Sequence, residues 1–597
     1  MNALRSMARA AATLALVAAL GSGAGCGDPK PPPAVRTLVL VTVDTLRRDH
    51  VSAYVPAGGT VHVATPAIDA LARTGVRFDD ARTPTPLTLP AHTTMLSARA
   101  PGAHGVRSNS ASRIPPRAAR RWPLLAETLA DAGWCCGAFT SAGPLVTRYG
   151  LDAGFDTYDD GALDDFSGGG FAERPGLQTV ERALAWLAAL PRERRVFLWV
   201  HVFEPHQPYR PDYRTDVTQA DAVVGTLVAG LAAARGPDAA VLLTSDHGEA
   251  LGELGEPSHG LLLAESVLRV PFLLVAPGLA PGVRSDPVDL ADVAPTLARL
   301  AGTTFPTPEG PLAGRDLLAG PAPADRPRVA EGLHAFHQYR WAQLTCAVVG
   351  RHKLEDRGDA PGRRVLFRLS DTPPGQDAGV AAESAPEAEA PAAALRAYRR
   401  AESGAPDRGA AGAGGYGAGG AVGPLEDPAA NGRRLDPYAV VTDAGRLDRA
   451  AAAVLAQPVT AERVRAALRD LDTLEARDPT NPAIAFWRGR ALRTLAKTPA
   501  DHAAARATFL AALDRGRADA DTLLLAGRSA LAEGDAPGTL ALLSAWHDRI
   551  PPDARLADLE ADAAGRVGDT PRREAATARA AALRKAPAAQ APPGGCR

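Results

Sequence analysis

This sequence contains few cysteines and few aromatic residues, and its net charge is close to zero. Its 597 residues include 5 Cys, 5% aromatic residues and a formal net charge of −1. So few cysteines exclude a small disulfide-built fold, and none of their spacings matches a zinc-binding pattern. Balanced charge without a run of Lys or Arg gives no electrostatic basis for binding nucleic acid. We interpret Cys135, Cys136 and Cys346 as buried core residues and Cys596 as an exposed thiol of the tail.

One short apolar run, AAATLALVAAL, follows Arg5 and Arg9 near the N-terminus. It is too short to cross a bilayer as a helix and is typical of a signal peptide. The residues GSGAGC that follow end at Cys26 and resemble the lipobox of bacterial lipoproteins, which implies lipidation of that cysteine; an ordinary secretory signal is the alternative. We predict a signal peptide over residues 1–26, a Pro-rich tether over 27–35, and a lipid-anchored protein of the bacterial cell envelope.

A chain of this length is expected to contain several domains, and residues 36–371 are predicted to form one large α/β unit. Nearly continuous apolar, β-branched runs are typical of strands that are covered on both faces. Helical patterns such as QTVERALAWLAAL lie between them, which predicts a mostly parallel sheet sandwiched by helices, with ligands at the strands' carboxyl ends. A small antiparallel subdomain is predicted at the C-terminal end of the unit. The predicted strands include RTLVLVTVD, RRVFLWVHV, AAVLLTSD and PFLLVAPG.

The remaining third of the chain changes composition twice. Residues 372–442 are rich in Ala, Gly, Pro and Glu and are predicted to be a low-complexity linker. Ala-rich amphipathic patterns from 443 to 586 predict helices, and the pairs Gly534-Asp535 and Gly568-Asp569 recur at the 34-residue period of tetratricopeptide repeats. An unspecialised helical bundle is the alternative. Repeats would offer a concave surface to a protein partner, and residues 587–597 are predicted to be a disordered tail.

Carboxylate and imidazole side chains directly follow two of the predicted strands. Asp44 follows TLVLVTV, and Asp246 and His247 follow AVLLTS. Because parallel strands end at the same edge of a sheet, these three side chains can converge on one divalent ion. Asp44 could instead be only the N-cap of the next helix. Two such strand ends, the second followed by the Gly-rich loop GEALGELGEPSHG, favour a metal site.

The stretch TPTPLTLPAHTT places a hydroxyl where a helix is predicted to begin. Thr88 precedes Leu89 and Pro90, and Pro is common in the first turn of a helix. A hydroxyl there lies near unpaired backbone N–H groups, which favour an anion. Alone, Thr88 is most simply a helix cap. Bound to an ion held by Asp44, Asp246 and His247, its pKa would fall and it would become a nucleophile.

These motifs together resemble the sulfatase family of the alkaline phosphatase superfamily. The resemblance extends from about residue 36 to 371 and implies an alkaline-phosphatase-like α/β fold, followed here by the helical repeat region. It also implies hydrolysis of sulfate or phosphate esters through a covalent intermediate. The linker sequence GGYG resembles the end of the subgroup that carries tetratricopeptide repeats. The motifs are, in order, VLVTVDTLRRDH, TLPAHTTMLSARAPGAHGVRSN, FLWVHVFEPHQPY and LLTSDHGEALGELGEPSHGLLLAESVLRVPFLLVAPG.

The resemblance also implies roles for single residues. Thr45 stands where many sulfatases have a second metal-binding Asp, and His92 replaces the Arg of the nucleophile signature. Because Thr88 occupies the place of the Cys or Ser, formylglycine cannot form at this site. The implied ligands of the ion are Asp44, Thr88, Asp246 and His247, with Thr88 the nucleophile. An imidazole ligand favours zinc, with manganese or calcium as alternatives.

A Thr nucleophile resembles the nucleotide pyrophosphatases and phosphodiesterases of the same superfamily, in which an Asn downstream binds a phosphoryl oxygen. Asn109 lies 21 residues after Thr88, as in that branch. His206 and His259 are implied either to hold a second ion or to bind the transferred group and protonate the leaving alkoxide. Arg210, where a ligand histidine is expected, argues against a complete second site.

We therefore expect a metal-dependent hydrolase of sulfate or phosphate esters. A phosphodiesterase or phosphotransferase of the same superfamily is one alternative, and a catalytically inactive envelope protein that acts through its repeats is another. We interpret His92, His104 and His201 as structural residues, because such side chains often satisfy backbone groups at helix starts and strand ends.

Overall fold

The computed structural model describes most of the chain between residues 35 and 584. The predicted signal peptide, Cys26 and the C-terminal tail lie outside the described residues, as does most of the predicted tether and linker. The described ranges are 35–56, 58–59, 63–109, 112–161, 163, 173–307, 314–358, 363–370, 380–381, 385–403, 434–550 and 552–584.

The elements are numbered in chain order. The strands are β1 (Thr37–Val43), β2 (Val76–Phe78), β3 (Ala81–Arg82), β4 (Cys135–Phe139), β5 (Thr157–Asp159), β6 (Val196–Val202), β7 (Ala239–Thr244), β8 (Phe272–Val275), β9 (Gly282–Arg284), β10 (Val288–Asp289), β11 (Arg328–Gly332), β12 (Leu344–Val349), β13 (His352–Asp356), β14 (Arg364–Arg368) and β15 (Val380–Ala381). The helices are α1 (Pro66–Thr74), α2 (Thr88–Ser97), α3 (Pro101–His104), α4 (Leu125–Asp131), α5 (Gly176–Ala189), α6 (Tyr213–Arg235), α7 (Glu265–Leu268), α8 (Val293–Leu300), α9 (His334–Tyr339), α10 (Glu389–Ser403), α11 (Pro437–Leu455), α12 (Ala461–Arg477), α13 (Pro482–Leu495), α14 (Pro499–Asp514), α15 (Ala520–Glu533), α16 (Ala536–Trp546), α17 (Ala554–Val567) and α18 (Thr570–Arg584).

A mostly parallel sheet forms the centre of the first domain, with strand order β5-β4-β6-β1-β7-β8-β2-β9. Strand β1 pairs in parallel with β6 and β7, whereas β8 runs antiparallel to both of its neighbours. Thr42 lies opposite both His201 and Thr244. Since these three strands end level with one another, the residues that follow β1 and β7 meet at one edge of the sheet.

Apolar side chains cover both faces of this sheet. Leu38 and Leu40 of β1 belong to the core cluster that includes residues of α2, α4 and α8, whereas Val39 and Val41 belong to the cluster that includes residues of α1, α5 and α6. The predicted sheet sandwiched by helices is therefore confirmed. Helix α6 is long and apolar enough to suit a membrane span. Its Leu227 nevertheless packs in the same core cluster as Val39 and Val41 of β1.

A smaller antiparallel sheet, with strand order β11-β12-β13-β14-β15, follows the first and confirms the predicted subdomain. Helix α10 packs against this sheet through Leu395 and Tyr398, although it lies within the segment predicted to be a linker. The Tyr398 hydroxyl donates to Glu331 Oε2 at 2.7 Å, and Arg107 donates to the same oxygen at 3.0 Å. Residues 385–403 are thus an ordered part of the fold, because their apolar face completes a core built from β11 to β14.

The C-terminal region is entirely helical in the described residues, from α11 to α18. It begins at Pro437, six residues before the predicted boundary. Gly534 follows α15 and Gly568 follows α17, and both adopt the left-handed conformation, with φ of +91° and +79°. The two glycines that recur at a 34-residue spacing therefore end their helices with the same backbone geometry. The assignment to tetratricopeptide repeats stays a prediction. Val441 and Leu447 of α11 share a core cluster with Leu261 and Leu263, which joins this region to the first domain.

Candidate active site

The structure brings Asp44, Asp246 and His247 together at the edge where β1 and β7 end. Each of the three offers a ligand atom, and these atoms lie within 4.8 Å of one another. The Nε2 atom of His247 lies 3.5 Å from Asp246 Oδ2 and 3.9 Å from Asp44 Oδ1. All three residues are fully buried. Because β1 and β7 end level with each other, residues that are about 200 positions apart in the sequence converge here.

The bonding of these side chains fits a divalent cation. Among the described residues, both oxygens of Asp44, Oδ2 of Asp246 and Nε2 of His247 have no hydrogen-bond partner. Buried polar atoms without partners cost free energy, and a bound cation satisfies such atoms. His247 Nδ1 lies 3.0 Å from the Gly248 carbonyl, to which it can only donate, so Nε2 carries the lone pair that a metal needs. Burial, followed by the charge of the neighbouring Asp246 carboxylate, raises the pKa of Asp44 above its ordinary value, as expected for two buried carboxylates that share a site.

Thr45, which follows the first aspartate, has an unusual backbone conformation. Its φ of +53° lies in the left-handed region, which a β-branched residue rarely adopts. Tyr213 donates from its hydroxyl to the Thr45 carbonyl at 2.7 Å, and the Thr45 N–H donates to Asp246 Oδ1 at 3.3 Å. These two bonds hold the turn after β1 and fix Asp44 relative to Asp246.

Thr88 is the first residue of α2 and is 2% exposed. The structure places Asn109 beside it, because the N–H of Leu89 donates to Asn109 Oδ1 at 2.9 Å. With its oxygen bound to the helix N-terminus, Asn109 keeps its NH₂ group as a donor for another acceptor. The 21-residue spacing seen in the sequence therefore corresponds to direct proximity in the fold.

A directed chain of hydrogen bonds holds His92 behind Thr88. His92 Nδ1 lies 2.8 Å from the Thr88 carbonyl and therefore donates, so Nε2 accepts from the Thr42 hydroxyl at 3.0 Å. Trp199 Nε1 in turn donates to that hydroxyl at 3.0 Å. Both nitrogens of His92 are thus engaged, which fits its interpretation as a structural residue. Both nitrogens of His104 also have partners: Nε2 lies 3.0 Å from Thr94 Oγ1, and Nδ1 accepts from the Val106 N–H at 3.0 Å.

His206 and His259 lie on the more exposed side of the site. The ring of His259 is 4.3 Å from that of His247 and 5.1 Å from that of His206, measured between centroids. Burial opposes the charged form of His259, but Glu249, whose Oε1 lies 3.1 Å from Nδ1, outweighs burial and raises the pKa to about 9. Arg210 does not join this group; its guanidinium pairs with Glu173 at the surface.

Two residues near the site were not among those predicted. Glu249 belongs to the SDHGE motif and contacts His259, so the motif itself was a signal that could have identified it. His201, interpreted from the sequence as structural, has its Nε2 atom 3.4 Å from Asp44 Oδ2. Nothing in the sequence of its continuously apolar strand indicates that contact. Burial lowers the pKa of His201 to about 4, so its imidazole is neutral.

Comparisons with known proteins concern the first domain of the chain. Residues 36–303 match the sulfatase family. A choline-sulfatase of Rhizobium meliloti (strain 1021) is 38% identical over 97 residues, which are 16% of this chain and 19% of that protein. The solved structure of BT4656 in complex with its substrate D-glucosamine-2-N,6-O-disulfate is 14% identical, with a TM-score of 0.50, and the alignment covers 62% of this chain and 98% of that one.

A phosphonate monoester hydrolase from Silicibacter pomeroyi is also similar, at 18% identity and a TM-score of 0.47, with 63% of this chain and 96% of that one covered. The match to BT4656 shows the fold, and the matched family residues include the strands that carry Asp44, Asp246 and His247. Residues 36–303 of this chain therefore form a sulfatase-family domain.

Proposed function

We propose that this domain is a metal-dependent hydrolase of sulfate or phosphate esters with Thr88 as its nucleophile. The observation that carries the proposal is the set of buried, unpartnered ligand atoms on Asp44, Asp246 and His247. When bound, a divalent ion would lower the pKa of a nearby hydroxyl and stabilise negative charge on a transferred group. Zinc is the ion we favour, since one ligand is an imidazole, and manganese or calcium are the alternatives.

The residues of the chain would then perform two displacements. The Thr88 hydroxyl gives its proton to solvent, and its Oγ attacks sulfur or phosphorus, forms a covalent ester, and displaces the substrate's alkoxide, which takes a proton from the imidazole of His259 or His206. A water molecule then gives a proton back to that imidazole and attacks the same centre. The bond to Thr88 Oγ breaks, Oγ takes a proton from solvent, and sulfate or phosphate is released. The N-terminus of α2 favours the anionic group next to Thr88.

Asn109 is expected to bind a non-bridging oxygen of the transferred group. Asn109→Asp keeps the oxygen that accepts from Leu89 N–H but removes the amide donors and adds a negative charge. Loss of a preorganised donor lowers turnover about 10²- to 10³-fold in comparable sites, and we expect a loss of that size in kcat/KM. Steady-state kinetics on p-nitrophenyl sulfate and p-nitrophenyl phosphate would measure it.

The thermal unfolding midpoint of Asn109→Asp serves as the control and should stay near that of the unmodified chain, because the bond to α2 is retained. A variant with unchanged kcat/KM would show that Asn109 does not contact the substrate.

Among the alternative functions, hydrolysis of a phosphodiester is favoured by one observation, the proximity of Asn109 to the proposed Thr nucleophile. A phosphodiester substrate therefore belongs in the same assay.

We further propose that the helical region binds an acidic segment of a protein partner. A groove of about 430 Å³ lies between α13, α15 and α17 and is lined by Arg493, Arg528 and Arg566, among others. Arg566 pairs with Asp562. In the described residues, neither Arg493 nor Arg528 has a carboxylate within ion-pair distance, and burial together with the charge of Arg528 lowers the pKa of Arg493. Unpaired arginines in a groove favour carboxylate ligands.

Charge reversal in this groove is expected to weaken binding of a fluorescently labelled Glu-rich peptide at least about tenfold, which corresponds to about 1.4 kcal/mol. The test variant is Arg493→Glu with Arg528→Glu, and fluorescence anisotropy at physiological salt is the measurement. The matched control reverses two exposed arginines of α12, Arg465 and Arg469. Equal weakening in both variants would mean that only the overall charge matters and that the groove is not the binding site.

Export of the protein and lipid anchoring at Cys26 stay predictions.

A further inference from the structure

We infer that His201 is a positioning residue that holds the second oxygen of Asp44 and thereby raises the affinity of the site for its ion. This inference rests on the proposed metal-dependent function. His201 lies on β6, level with Thr42 of β1, and is fully buried. Its Nε2 atom is 3.4 Å from Asp44 Oδ2, and neither of its ring nitrogens has a hydrogen-bond partner among the described residues.

The two oxygens of Asp44 face different imidazoles. Oδ1 lies 3.9 Å from Nε2 of His247, which is one of the candidate ligand residues. Oδ2 lies 3.4 Å from Nε2 of His201. A carboxylate that binds an ion through one oxygen is commonly oriented by a donor to the other, and such partners strengthen binding. A neutral imidazole with its proton on Nε2 supplies that donor.

Two other buried histidines, His92 and His104, provide the comparison for a packing role of His201. His92 belongs with His201 and Asp246 to a second group of close ligand atoms, but hydrogen bonds to Thr88 and Thr42 occupy both of its nitrogens. His104 likewise has a partner at each nitrogen. A buried histidine that serves only the fold is expected to be satisfied in this way. His201 differs because neither of its nitrogens has such a partner among the described residues, and its Nε2 lies 3.4 Å from a carboxylate oxygen of the ion site.

The test is a titration of the metal-free full chain with Zn²⁺ and Mn²⁺ in competition with a chelator. His201→Phe keeps a ring in the core without a donor, and His201→Gln restores an N–H donor. We expect His201→Phe to raise the dissociation constant about 10- to 100-fold, and His201→Gln to return it close to the unmodified value. His337→Phe, which replaces a buried histidine of α9, should leave it unchanged. The thermal midpoint of the metal-free His201→Phe chain should stay near that of the unmodified metal-free chain, because an aromatic ring still fills the same place in the core.

An unchanged dissociation constant in His201→Phe, or an equal loss in His201→Gln, would overturn the positioning role. Asp44→Asn separates this outcome from a failure of the proposed function. If Asp44→Asn loses the ion while His201→Phe keeps it, the ion site stands and only the role of His201 is wrong. If the unmodified chain binds neither ion, the proposed function is contradicted and the role of His201 with it.

Discussion

Thr88→Ala is expected to lower kcat on the order of 10⁴-fold or more for whichever ester the chain hydrolyses, since removing a covalent nucleophile has effects of that size in other hydrolases. The hydroxyl is the only group of Thr88 that can form the covalent ester, and its backbone bonds are unaffected by the change. Turnover of p-nitrophenyl sulfate, p-nitrophenyl phosphate and bis-p-nitrophenyl phosphate, measured in parallel, gives the comparison.

Thr93→Ala is the matched control for this prediction. Thr93 is a second buried threonine on α2, and its hydroxyl donates only to the Leu89 carbonyl within the helix, at 2.7 Å. Its removal should leave kcat near the unmodified value. Thr88→Ser, which keeps the hydroxyl, should retain measurable turnover. If Thr88→Ala hydrolyses its ester as fast as the unmodified chain, Thr88 is not the nucleophile.

Asp246→Asn is expected to remove both the bound ion and the activity. The change keeps the shape of the side chain and its acceptor for the N–H groups of Thr45 and His247, but it removes the charge that faces His247 Nε2. The loss of ion affinity should exceed the roughly 10- to 100-fold that removal of an outer-shell partner costs. Metal content by plasma mass spectrometry and kcat for the same esters are the two measurements.

Chelation of the unmodified chain should reproduce the loss of activity, and added Zn²⁺ or Mn²⁺ should restore it. The sheet has apolar cores on both faces that do not involve the ion, so circular dichroism should show a folded chain throughout. Asp221→Asn is a suitable control, because Asp221 is a buried aspartate of α6 that accepts from the N–H groups of Ala67 and Ile68, away from the site. Full activity of a chain shown to be metal-free would contradict the proposed metal dependence.

The convergence of Asp44 with Asp246 and His247 could be predicted because it depends on regular structure. Apolar runs of β-branched residues identify β1, β6 and β7, and the parallel arrangement places their carboxyl ends at one edge. The residue that follows such a strand is then fixed to within one or two positions. The proximity of Asn109 to Thr88 could be anticipated only from the family spacing, because an irregular segment connects them.

Helix α10 and His201 could not be predicted, for different physical reasons. The composition around Leu395 and Tyr398 is that of a linker, and the helix is stabilised by a sheet and by Glu331, more than fifty positions away in the sequence. His201 lies in a strand that is buried on both faces, so alternation gives no information about its surroundings. Only the three-dimensional structure shows that its nitrogens lack hydrogen-bond partners within the described part of the chain and that Nε2 lies 3.4 Å from Asp44 Oδ2.

Covalent trapping on Thr88 would test the proposed mechanism most directly. The metal-loaded chain would be quenched in acid during turnover of its preferred p-nitrophenyl ester, digested, and analysed by peptide mass spectrometry. We expect one sulfuryl or phosphoryl group on the peptide that contains Thr88, located on that residue by fragmentation. The same group on a different side chain, or turnover that leaves Thr88 unmodified at every quench time, would contradict a Thr88 nucleophile.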